Sequence, residues 1–325
     1  MKLPRRNLLH LAAGAAALPA LSHAARAQDY PSRPARIIVG FPPGGATDIQ
    51  ARLMGEWLSQ RLGQQFIVEN KPGASGNIGT ELVARAPADG YTLLQVVTPA
   101  AINPALYSNL TFDFIRDIAP VIYLARLAYV VVVNPAVPAT TLPEFIAHAK
   151  ANPGKVNYGS AGAGTPQNIT CELFKMMSGV NLVHVGYRGG APAVVDLIAG
   201  HVQVIFAPVS EAIQHVKAGK LRALAVTTAS RLDVLPDVPP VGDFLPGYEA
   251  TGFSGIGVPK ATPPAIIDRL NKELNAGLAD AKVKERIVEL GGTVTGGSPA
   301  EFGKLIADAT EKWAKVIKFA GIKAE

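Results

Sequence analysis

The stretch "IIVGFPPGGATDIQARLMGEWL" (37–58) decides how this chain is read. A short apolar run meets two prolines and two glycines, and the chain then continues as an amphipathic helical pattern. Strand, turn and helix in that order form the repeating unit of an α/β fold. The turn itself, "PPGGATD" (42–48), admits four uses: punctuation, a phosphate cradle, an oxyanion site, or a seat for another anion.

Outward from this unit the same alternation runs nearly to the end. Strands are expected at 36–41, 66–70, 91–97, 129–133, 156–159, 182–187, 202–207, 221–228 and 254–259. Helices are expected at 48–62, 76–85, 143–151, 166–178, 191–199 and 210–218. Apolar strands separated by helices imply mostly parallel sheets flanked by helices. From Pro263 the pattern turns mainly helical, and such a terminal run can cover an earlier sheet. Helix starts are well marked. Thr141 with Glu144 and Ser298 with Glu301 fit the capping box. Thr165-Pro166 and Thr262-Pro263 place a capping hydroxyl before a first-turn proline.

The chain has 325 residues, 48% of them hydrophobic, which supports a large core and favours two domains over one. Residues 1–27 carry a basic start (Lys2, Arg5, Arg6), an apolar middle and Ala25-Arg26-Ala27. That is the pattern of a secretory signal peptide cleaved before Gln28. Arg5-Arg6 suits a twin-arginine route as well as the Sec route. The formal charge of +6, less the four leader cations Lys2, Arg5, Arg6 and Arg26, leaves +2 on the mature chain. With no Lys/Arg cluster remaining, nucleic acid is not an expected partner. No later run is long enough to span a membrane. The mature chain is therefore expected as a soluble, monomeric protein of the periplasm. Cys171 is the single cysteine, so no intramolecular disulfide forms, and it reads as a small buried residue on a helix.

Four strand-to-helix loops are rich in small residues: 42–48, "KPGASGNIG" (71–79), "GSAGAGTPQ" (159–167) and "YRGGAPA" (187–193). In a parallel α/β sheet such loops lie beside helix N-termini, where free N–H groups and the helix dipole favour negative charge. Taken singly, each is more simply a turn, and Thr47 with Gln50 also fits a plain capping box. Taken together, the four point to a small anionic ligand. Signatures of enzymes are missing. The chain has no dinucleotide fingerprint and no phosphate loop, and neither Ser160 nor Ser75 lies in a nucleophile elbow. His148, His184, His201 and His215 form no metal-binding pair, so neither cofactor nor metal is implied. A secreted hydrolase using Ser160 with a distant histidine is the alternative.

The strings "GFPPGGATD", "VENKPGASGNIGTELVARAPADGYTLL", "NYGSAGAGTPQNI" and "HVGYRGGAPAVVDLIAGHVQVIF" occur in an order that resembles the Bug receptors. These are the extracytoplasmic substrate-binding proteins of tripartite tricarboxylate transporters, and the resemblance covers essentially all of the mature chain. It implies two α/β domains, 28–127 plus 248–325 and 128–247, joined by crossings near Leu127 and Gly247. They would close like a flytrap on a small organic acid: a di- or tricarboxylate, an acidic amino acid or an aromatic carboxylate. Membrane permease subunits are the implied partners, with a signalling sensor as the other reading, and no enzyme activity is implied. In this pattern the first-strand loop (Phe41, Gly44, Gly45, Ala46, Asp48) and the second-domain loop (Ser160, Gly162, Gly164, Thr165) grip the ligand. Ser75, Thr98, Tyr187 and Ala207 border the cleft. The family often has His at Asn168, Pro at Gly186 and Asp at Ala207. An acid missing at Ala207 removes a partner for a ligand ammonium group, which leans toward a plain organic acid.

Overall fold

Strand β1 (Ala35–Val39) is buried along nearly its whole length, as a strand covered on both faces must be. The structure, a computed structural model, describes residues 30–323, so the leader lies outside it. β1 pairs in parallel with β2 (Phe66–Asn70) on one side and β3 (Thr92–Val97) on the other. The connecting helix α1 (Ala46–Leu62) ends at Gly63, whose φ of +72° closes the last turn in the left-handed region. α1 lies close over the sheet because Gly55 has no side chain. A Cβ there would fall 2.9 Å from the Phe66 carbonyl oxygen.

Three helices, α2 (Asn77–Ala84), α3 (Pro99–Leu106) and α4 (Phe114–Asp117), carry the chain past β3 into β4 (Ile118–Val133). β4 is far longer than the expected 129–133. Pro120 and Arg126 break the apolar run in the sequence, and proline ordinarily excludes a central strand. Here the ladder shifts register between Pro120 and Ile122, so the missing N–H interrupts no regular pairing. The first part of β4 pairs antiparallel with β9 (Thr251–Pro259) and β10 (Gly292–Val294). Its last five residues pair antiparallel with β7 (Val204–Pro208) and β8 (Arg222–Val226).

With β5 (Val156–Ser160) and β6 (Leu182–Gly186), the sheet runs β2-β1-β3-β9-β4-β7-β5-β6, with β8 and β10 also on β4. It is a mixed sheet within an α/β fold. Parallel pairing holds at the two ends, β2-β1-β3 and β7-β5-β6, and these ends carry the small-residue loops. The middle is antiparallel, because β4 and β9 pass between the ends rather than belong to βαβ units.

The helices α5 (Leu142–Ala151), α6 (Pro166–Ser178), α7 (Gly190–Ala199) and α8 (Val209–Lys217) surround the β5 end. The helices α9 (Pro264–Ala279), α10 (Ala281–Glu289) and α11 (Pro299–Ala320) close the chain. One apolar cluster holds the β1 end (Ile37, Met54, Leu93, Leu270) and another the β7 end (Val130, Val194, Ile205). The third runs through both, from Ile38 and Leu94 to Phe206 and Trp313. α11 accordingly packs on α3, β4 and α6, so the terminal run reaches both ends of the sheet. Cys171 is fully buried on α6.

The caps divide. Ser298 and Glu301 complete the capping box, and the Thr165 hydroxyl accepts from the Asn168 N–H. Thr141 accepts from the Glu144 N–H, but the Glu144 carboxylate accepts from Thr140 instead of closing the box. Thr262 does not cap at all: α9 starts from Pro263, and the Thr262 hydroxyl is buried without a hydrogen-bond partner.

Candidate functional site

The first N–H groups of any helix have no partner inside it. Side chains of Thr141, Thr165, Asp280 and Ser298 close the starts of α5, α6, α10 and α11. α1, α2 and α7 instead start from Gly45, Gly76 and Gly189, with no side-chain cap. Thr47 sits inside α1 rather than ahead of it, so the plain capping box with Gln50 does not form. Residues 42–46, which lead into the start of α1, are exposed.

Asp48 holds that loop from behind. Its buried carboxylate accepts from the Gly44 N–H (2.9 Å), Asn70 Nδ2 (2.9 Å) and both Nε and Nη2 of Arg52 (3.0 Å each). Asn70 Nδ2 also donates to the Phe41 carbonyl at 3.0 Å. Burial alone would push the Asp48 carboxyl up, but the donors from Arg52, Gly44 and Asn70 outweigh it and hold the pKa at about 2. Asp48 is thus a brace under the loop, its carboxylate oxygens held by Gly44, Arg52 and Asn70.

The second loop leans on the first. A Cβ at Gly76 would lie 3.2 Å from Phe41 Cε2, so the Phe41 ring rests on that glycine. Ala74 and Ser75 both take positive φ (47° and 52°), a strained conformation for residues with side chains. α3 holds them there. Asn103 Nδ2 donates to the Ser75 carbonyl (3.1 Å) and to Asn77 Oδ1 (2.7 Å), and the Tyr107 hydroxyl donates to Ser75 Oγ (3.2 Å). Leu106 of the same helix sits over Gly164, where a Cβ would fall 2.4 Å from Leu106 Cδ2. α3 therefore joins loop 71–79 to loop 159–167. Pro99 and Pro104 conceal this helix in the sequence, and Asn103, Leu106 and Tyr107 went unread with it.

In loop 159–167 most N–H groups are already in use. Ala161 donates to Gln167 Oε1 (2.7 Å), Gly162 to Ser160 Oγ (3.1 Å) and Gly164 to Asn168 Oδ1 (2.9 Å). The Thr165 hydroxyl donates to the Gly162 carbonyl at 2.7 Å. Asn168 is held in turn by donating to the Tyr158 hydroxyl (2.7 Å), and Tyr158 donates to Glu172. Ser160 Oγ lies 2.6 Å from His184 Nε2, the pairing a serine hydrolase would use. Ser160 is nevertheless 0% exposed in this structure.

Three further expected residues are committed elsewhere. The buried Thr98 hydroxyl accepts from the Phe253 N–H (2.9 Å), tying the end of β3 to β9. Ala207 lies in the apolar core opposite Val130 and borders no open space. The Tyr187 hydroxyl donates to Asp196 Oδ2 at 2.7 Å, and burial together with that bond raises its pKa to about 12. Tyr187 stays beside the loop through its N–H, which donates to the Ser160 carbonyl at 2.9 Å. Glu211, in the first turn of α8, escaped the sequence reading. It accepts from Gln167 Nε2 at 3.1 Å and lies against Gly190. An acid in a helix's first turn just after a strand is its only sequence signal.

Uncapped helix starts thus occur at both parallel ends of the sheet, linked through α3. Over residues 50–322 the chain matches the model of the tripartite tricarboxylate transporter family receptor. The chain belongs to this receptor family. Among relatives, Protein BugT of Bordetella pertussis is 35% identical over 300 residues, covering 91% of this chain and 92% of BugT. A solved structure of R. palustris Rpa4515 with adipate superposes with a TM-score of 0.78 at 34% identity, covering 90% of this chain and 99% of that one. MatC from Rhodopseudomonas palustris with bound malate gives a TM-score of 0.74 at 28% identity, covering 89% of this receptor chain and 100% of MatC.

Proposed function

We propose that the mature protein is a periplasmic receptor that binds a small organic carboxylate and delivers it to the membrane subunits of a tripartite tricarboxylate-type transporter. The observation that carries this reading is the exposed start of α1 at Gly45, a helix N-terminus without a side-chain cap. Backbone donors and a helix dipole aimed at solvent suit a carboxylate. Relatives with adipate and with malate support the same ligand class. The reaction is capture alone, with no bond made or broken, and Ser160 serves the fold.

The binding lobes are 28–127 with 248–325, and 128–247, hinged where β4 and the segment before β9 pass between the sheet ends. Phe41, Gly44, Gly45, Ala46 and Ser75 form the first lobe's share of the site, and the 159–167 and 187–193 loops the second's. Closure about such a hinge is the common motion of two-lobed receptors. A thermal-shift panel of di-, tri- and aromatic carboxylates tests the function. A ligand at ~100 times its Kd adds ~2.7 kcal/mol of apparent stability, a clear rise in Tm. A panel with no rise, or hydrolysis of ester substrates that is lost in Ser160→Ala, overturns the reading. Solution scattering tests the hinge: the radius of gyration should fall with saturating ligand, and identical profiles would reject closure.

A further inference from the structure

The Glu211 carboxylate lies against Gly190 at the start of α7. The residue stands in the first turn of α8, just past the carboxyl end of β7. The built Cβ of Gly190 would lie 2.2 Å from Glu211 Oε2 and 2.9 Å from Gln167 Nε2, so carboxylate, amide and the start of α7 meet at one point. Gln167 reaches both ways, donating to Glu211 at 3.1 Å and accepting from the Ala161 N–H at 2.7 Å. Glu211 is also felt at Tyr129, whose hydroxyl burial raises first and the Glu211 charge raises further. The Tyr129 hydroxyl lies 3.1 Å from the built Cβ of Gly252, where the chain passes between the sheet ends. Protein atoms desolvate the Glu211 carboxyl and raise its pKa, against the pull of the Gln167 bond, yet the residue keeps open surface.

We propose that Glu211 selects the far end of the ligand, disfavouring a second carboxylate and favouring an ammonium group. This rests on the carboxylate-receptor reading. The seat at the start of α7, which would welcome an anion, already faces the protein's own carboxylate. A second carboxylate arriving there meets a like charge in a partly dehydrated place, whereas an ammonium gains a charge-assisted hydrogen bond. Glu211 is exposed where Ala207 is buried in the core, and its acid turns the expected ligand from a plain organic acid toward an amino acid.

Calorimetric titration of the mature protein with matched pairs decides this: β-alanine with succinate, 4-aminobutyrate with glutarate, 5-aminopentanoate with adipate. The best amino member should bind about tenfold tighter than its dicarboxylate. Glu211→Gln should bring that ratio toward one. Gly190→Ala, which pushes the flexible end of Glu211 aside while keeping its charge, should do the same. Melting curves show that each variant is folded. A dicarboxylate that binds tighter in the parent protein, or a ratio unchanged in Glu211→Gln, overturns the role of Glu211 and leaves the receptor function standing. Binding of some other carboxylate but of no pair member overturns it as well. No binding by any carboxylate overturns both.

Discussion

Loops 42–48 and 159–167 look alike in sequence, each a glycine-rich turn between a strand and a helix, but they spend their backbone donors differently. In the first, among the described residues, only the Gly44 N–H is taken by a side chain, and the start of α1 has no side-chain cap. In the second, Gln167, Ser160, Asn168 and Thr165 accept from the turn and the first residues of α6. An open turn can give its hydrogen bonds to a ligand. A satisfied one gives mainly shape, because each donor must first leave a partner it already has. Glycine content alone does not tell the two apart. The acceptors two to six residues away do.

The largest expected consequence falls on the open turn. Gly45 has φ −79° and nothing within 3.9 Å of a built Cβ, so Gly45→Val fits the fold. Gly44, at φ +85°, would strain any replacement and is the wrong probe. Gly45→Val should weaken carboxylate binding by about ten-fold to a hundred-fold, one charge-assisted backbone donor lost, with Tm nearly unchanged. Calorimetry that finds equal affinity would erase the contrast between the loops.

Next comes acid sensitivity under the open turn. The Asp48 pKa is about 2 in the folded chain and ~3.9 in an unfolded one, so its share of stability is complete above about pH 4. That share, on the order of 2 kcal/mol, is lost as pH falls toward about 2. Urea midpoints measured from about pH 5 down to about pH 2 should drop more steeply for the parent than for Asp48→Asn. Parallel curves would mean that Asp48 is not the brace.

The smallest effect on binding is expected from the satisfied turn. Ser160→Ala deprives Gly162 and His184 of a buried partner, so it should cost stability, about 1 kcal/mol, as a lower Tm. Affinity should change by less than about threefold, under ~0.7 kcal/mol. A loss of affinity as large as that of Gly45→Val would instead place Ser160 in direct service of the ligand.

Much of the α/β pattern was legible because strand and helix periods are local. β2 and α6 appear at the expected residues, 66–70 and 166–178. What stayed hidden depends on partners remote in sequence. Pro120 looks like a strand breaker until the register shift against β9 is seen, and Pro104 looks like a helix breaker within α3. The site divides in the same way. The loops could be found from glycine spacing, whereas the roles of Asp48, Thr98 and Ala207 could not. Whether a polar group meets a ligand or a neighbour depends on Asn70, Phe253 and Val130, which lie far along the chain.

β4 has a thermodynamic consequence beyond geometry. One continuous strand of 16 residues is hydrogen-bonded to β9 and β10 over its first part and to β7 and β8 over its last. Neither end of the sheet can lose its ladder without exposing half of a strand that the other end still needs. A connection of this kind couples the melting of the two ends, where a flexible linker would let them melt apart. Heating should therefore give a single calorimetric transition with equal van't Hoff and calorimetric enthalpies. Proline placed at Tyr129, where the pairing passes from β9 to β7, should split that transition into two.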